Sequence, residues 1–168
     1  MNLQQINTLD KQTFVQSLGS IFEHSPWVAE RVYDQRPFAT LEALHQQMLT
    51  VMQQADKDEQ KRLILSHPEL AGSAARSGQL TRDSRNEQAG AGLDHCSAEE
   101  LARLQSLNAR YRDKFGFPFI IAVKGLNRYD IMDAMEQRLA HDTQQEFVTC
   151  LDEIGKIAGF RLQQLIAD

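Results

Sequence analysis

Cysteine is scarce in this chain: there are two, Cys96 and Cys150, with no Cys-x-x-Cys spacing. That excludes a disulfide-stapled scaffold and a thiolate zinc site, and fits a reduced intracellular protein whose thiols are small packing groups. Basic residues are in deficit, 18 Lys and Arg against 23 Asp and Glu for a net charge of −5, which argues against a nucleic-acid binder. The local pair Lys61-Arg62 is too small to reverse that balance. Long apolar runs are missing as well. The longest, Phe117 to Val123, contains Pro118 and is far too short to span a bilayer, so no membrane association is expected.

Targeting signals are also lacking. The opening MNLQQINTLDKQTF has no basic region followed by an apolar one, and the closing Leu-Ile-Ala-Asp is not a peroxisomal address; a cytoplasmic location is expected. The five histidines, at 24, 45, 67, 95 and 141, form no HxxxH or HExxH pair, so no metal is expected. Gly90-Ala91-Gly92 lacks the third glycine and the preceding strand of a dinucleotide fingerprint, and suits close helix packing better. No GxSxG nucleophile motif and no Asn-Gly hairpin occurs.

What is present is helical periodicity. At 168 residues, 42% hydrophobic and 24% charged, the chain fits one domain, 1–168, with a sizeable core. Leu41, Leu44, Met48, Val51, Met52 and Ala55 form one stripe behind a Thr40 N-cap. Ser25-Pro26 is a start signal, with proline at the first helical position. Ser97-Ala98-Glu99-Glu100 fits a capping box ahead of Leu101, Leu104, Leu107 and Tyr111. Asn127 caps a helix carrying Ile131 and Met135 inward to about Leu139. From Phe147 to Leu165 apolar residues recur at three- and four-residue steps through Cys150, Leu151, Ile154, Ile157, Ala158 and Leu162. The one β-like stretch is FGFPFIIAV, 115–123, where Gly116 and Pro118 break the helix before it. The fold class is therefore all-α, a single compact multi-helix domain with irregular segments near 67–82 and 115–126.

Three polar features stand out against apolar elements. SHPEL, 66–70, leaves the run Leu63-Ile64-Leu65 through a histidine held against Pro68. It reads either as a helix stop or as an imidazole aimed by an extended backbone, and histidine is the side chain suited to proton transfer at neutral pH. Ser84, Glu87 and Gln88 share one helical face, as a capped, solvated helix start or as a polar trio directed at a ligand. Arg161 sits on the inward side of the last helix, where it either snorkels outward or keeps its head inside and requires an anion.

Five stretches taken together are specific: EHSPWVAER at 23–31 with RPF at 36–38, SHPELAG at 66–72, LTRDSRNEQAGAGLD at 80–94, LNARYRDKFGFPFIIAVKG at 107–125 and EIGKIAGFRL at 153–162. In this order they resemble the 2-oxo-4-hydroxy-4-carboxy-5-ureidoimidazoline (OHCU) decarboxylases of urate breakdown, with Glu69 where many relatives carry Asp. The resemblance implies an all-helical homodimer, without metal or organic cofactor, that converts OHCU to (S)-allantoin and carbon dioxide. It also implies the site: His67 and Glu87 as catalytic groups, with Pro68, Ser84, Arg85, Asn86, Gln88, the segment Phe119, Ile120, Ile121, Ala122 and Val123, and Arg161 binding substrate. A non-catalytic helical module that binds a ureide or a protein would keep the same stripes and need no histidine.

Overall fold

The computed structural model describes residues 1–72, 75 and 77–167. Among these residues nine α-helices follow one another: α1 Leu3–Thr8, α2 Lys11–Leu18, α3 Trp27–Val32, α4 Leu41–Gln54, α5 Lys57–Leu65, α6 Arg82–Gly90, α7 Ala98–Phe115, α8 Arg128–Arg138 and α9 Thr143–Leu165. Short 3-10 turns cover Tyr33–Gln35 and Leu93–His95. No strand forms among the described residues; an isolated bridge joins Asn2 to Ala167. The chain divides into two compact units, Met1–Ser66 with Ile154–Asp168, and His67–Glu153, so α9 contributes to both.

The caps fall where the short polar side chains predict them. Thr40 accepts the Ala43 amide, and Ser97 and Asn127 each form a reciprocal capping box. One start differs by a residue. Pro26 occupies the cap position and α3 begins at Trp27, because the Ser25 hydroxyl donates to the Glu23 carbonyl instead of capping. The glycine pair also differs from its expected packing role. Gly92 ends α6 in the left-handed region at φ +77°, whereas a Cβ on Gly90 would meet open space.

In the first unit α2 packs on α3 and α3 on α4, burying Phe14, Leu18, Val28, Val32, Leu44, Met48 and Met52. Leu63 and Ile64 of α5 are buried as well, while Leu65 is exposed. In the second unit α7 packs on α8 around an aromatic cluster. Tyr111 lies edge-on to Phe119 at 5.3 Å and 4.5 Å from Phe115, and Phe117 meets Phe147. This cluster explains why FGFPFIIAV forms no strand despite its β-like composition. Its phenylalanines are buried between helices, and no neighbouring strand offers a ladder. The loop expected over 67–82 is described only in part: Ser73, Ala74 and Arg76 lie outside the described residues, and Ala75 is helical.

Candidate active site

The second unit opens at His67, directly after Ser66 closes α5 by donating its amide to the Arg62 carbonyl and its hydroxyl to that of Leu63. The His67 side chain is buried, at 8% exposure, and Pro68 after it is half-buried. The chain then turns sharply, with Ala71 at φ +51°, in the region that L-residues enter reluctantly. Two buried amide side chains hold this turn. Gln88 Oε1 accepts the Ala71 amide at 2.9 Å, and Asn108 Nδ2 donates to the Leu70 carbonyl at 2.9 Å. Arg112 adds a 2.6 Å ion pair with Glu69. SHPEL is thus a helix stop whose continuation is clamped by α6 and α7.

Helix α6 carries the predicted polar face. Ser84 and Gln88 are buried and Glu87 is half-buried, while Arg85 and Asn86 are exposed. Thr81 supplies the cap, accepting the Ser84 amide at 3.3 Å. The bond from Gln88 to Ala71 sets this helix beside the loop that starts at His67.

Segment 119–123 is pinned from outside. The Ile120 carbonyl accepts from Arg138 Nη1 at 2.7 Å, and the Ala122 amide donates to Glu153 at 3.3 Å. Phe119, Ile120 and Ala122 are buried; Ile121 and Val123 are half-buried. Arg138 is itself held by Glu146, whose carboxylate also accepts from the Tyr111 hydroxyl at 2.6 Å and lies 2.9 Å from His141 Nδ1. Burial pushes the Tyr111 phenol and the Cys150 thiol up, so both stay protonated near neutrality. Burial works against the Arg138 charge, but the Glu146 hydrogen bond and neighbouring groups outweigh it and the guanidinium is held more firmly protonated.

Arg161 belongs to the first unit. Its head stays inside, at 4% exposure, rather than snorkelling outward. The anion it requires is present in the protein: Glu23, 2% exposed, lies 2.8 Å away, and the Ser20 and Ile21 carbonyls accept further hydrogen bonds from the same nitrogen. Sequence reading did not single out Glu23, Asn108, Arg138 or Glu146. The one available signal was Glu23 opening EHSPWVAER; the others are polar residues on helices with nothing in their spacing to mark them.

Among the described residues no group of three or more potential metal ligands occurs, and no helix is long and apolar enough to cross a membrane. The second unit thus holds a buried imidazole beside a clamped turn, a helix with a buried hydroxyl and amide, and a fixed backbone segment, residue types that suit a polar, hydrogen-bonding small molecule. The model of the OHCU decarboxylase family matches residues 7–163, and the chain belongs to that family. It is similar to the 2-oxo-4-hydroxy-4-carboxy-5-ureidoimidazoline decarboxylase of Haloferax volcanii, 42% identical over 98% of this chain and 95% of the relative. The protein of the same name from Halalkalicoccus jeotgali is 40% identical over 98% of this chain and 92% of that one. Among solved structures, a crystal structure of (S)-allantoin synthase superposes with a TM-score of 0.80 at 29% identity, covering 99% of this chain and 54% of that one.

Proposed function

We propose that this enzyme catalyses the stereospecific decarboxylation of OHCU to (S)-allantoin and carbon dioxide in urate breakdown. The family match across residues 7–163 carries this reading. The chemistry needs little beyond what the site offers. When the bond to the carboxylate breaks, its electron pair moves into the ring and the adjacent C=N accepts the displaced pair, so no external electron sink is required. The ring nitrogen that receives the pair takes up one proton; the intermediate then gains a second at the carbon bearing the ureido group, while the ring hydroxyl loses one to become the carbonyl. The face from which that proton arrives sets the configuration.

His67 is the group proposed to deliver or relay the proton. It is buried, follows a helix end, precedes Pro68, which restricts its backbone, and starts the loop that Gln88 holds at Ala71. Glu87 is proposed to hold the substrate hydroxyl or orient the imidazole, with Ser84, Arg85, Asn86 and Gln88 of α6 proposed to bind substrate beside it. Positioned proton transfer of this type contributes about 10²–10⁴-fold. The chain is further proposed to act as a cytoplasmic homodimer. The test is chiral: OHCU is generated from urate in situ and optical activity is followed, since spontaneous decay gives racemic allantoin. Accelerated formation of the (S) enantiomer supports the reading. A ureide-binding module would leave both rate and racemate unchanged.

A further inference from the structure

Arg138, at the end of α8, is 8% exposed, and Glu146 on α9 is completely buried. Arg138 Nε donates to Glu146 Oε1 at 2.7 Å, Nη1 donates to the Ile120 carbonyl at 2.7 Å, and the guanidinium lies 4.2 Å from the centre of the Phe119 ring. A buried ion pair is a poor stabiliser, because desolvating the two charges consumes most of their attraction, and an apolar pair of equal volume commonly does as well. What an apolar pair cannot do is hold a carbonyl at a fixed point. The planar fork of arginine can grip a carboxylate with one edge and a second acceptor with another, in a geometry lysine cannot reproduce. Here the second acceptor is the Ile120 carbonyl, within segment 119–123.

We propose that Arg138, locked by Glu146, is a positioning residue for substrate: by fixing Ile120 it presents the neighbouring backbone of Phe119, Ile121 and Val123 to the ligand. The inference rests on the reading that this segment meets the ureidoimidazoline. Because these groups contact parts of the substrate remote from proton transfer, their misplacement weakens binding more than chemistry.

Two variants test it, R138K and the apolar double replacement R138M/E146L. Each is checked for folding by thermal melting, then assayed for kcat and KM with OHCU formed in situ. In parallel, backbone amide shifts are followed during titration with (S)-allantoin. Ile121 and Val123 amides of the parent are expected to shift with ligand. In both variants KM is expected to rise about tenfold with kcat changed no more than about threefold, and the ligand-induced shifts to weaken in step. A folded double variant with parental KM and parental shifts overturns the proposal, as does failure of both variants to fold, which would make the pair purely structural. A parent whose Ile121 and Val123 amides do not respond also overturns it. A parent whose amides respond but which makes no (S)-allantoin overturns the proposed activity and leaves the positioning role standing.

Discussion

Gln88 Oε1 accepts the backbone amide of Ala71 at 2.9 Å, with both residues buried, so one side chain of α6 sets the path of the chain just after His67. Replacing Gln88 with leucine keeps the volume and removes the acceptor. The orphaned amide should cost about 1–3 kcal/mol of stability in urea denaturation. Amide exchange should also speed up in residues 69–72 more than elsewhere. Unchanged stability with unchanged exchange would mean that the turn is held by other contacts.

The Glu23–Arg161 pair makes a separable prediction. Arg161→Met leaves a buried carboxylate without its cation and should destabilise by about 3–5 kcal/mol, whereas Arg161→Met with Glu23→Leu should recover most of that loss. If Arg161 also grips an anionic group of the substrate, the recovered double variant will fold and still show a raised KM. Parental KM in that variant would confine Arg161 to its internal pair.

The two glycines ending α6 should respond in opposite ways. Gly92→Ala places a side chain at φ +77° with Arg128 Nη1 3.3 Å from the new Cβ, and should destabilise by about 1–2 kcal/mol. Gly90→Ala fills open space within the helix and should stabilise by about 0.5–1 kcal/mol. Thermal denaturation of the two variants reads this directly, and equal effects would contradict the assignment.

Acid sensitivity follows from Glu100. The Arg128 side chain, and next the Ser97 amide, hold its carboxyl down to about 2. The folded value lies below the unfolded one, so the linked stability is fully present above the ordinary carboxylate range and is lost as pH falls towards about 2. Glu100→Gln should therefore lower stability at pH 7 and converge on the parent near pH 2. Parallel stability curves across that window would show the pair to be idle.

Local signals were readable in the sequence because local chemistry decides them. Thr40, Ser97 and Asn127 cap the helices their spacing predicts, and the centres of the stripes, around Met48, Leu104 and Ile154, are buried while Leu41, Val51, Ala55, Leu101, Phe147 and Leu165 are half-buried. The start at Ser25-Pro26 shifted by one residue, while FGFPFIIAV, β-like in composition but expected within an irregular segment, forms no strand among the described residues. The site was legible only in fragments. Ser84 and Gln88 were grouped by helical spacing, but the partner of Gln88 is a backbone amide 17 residues earlier. Arg161 reads in the sequence either as a snorkelling side chain or as one that requires an anion, and the anion that decides it, Glu23, stands in the opposite part of the sequence. Arg138 and Glu146 carry no spacing signal at all, since their shared target, Ile120, is defined only in three dimensions. The role given to His67 came from family resemblance, and its burial and clamped loop supply physical support for it.

The most direct test is the optical rotation of allantoin formed from in situ OHCU by the parent and by His67→Asn, both verified as folded. The account predicts rapid (S)-allantoin from the parent, and from the variant a rate lower by about 10²–10⁴-fold with product approaching the racemate. Parental rate and enantiomeric excess in His67→Asn would contradict it.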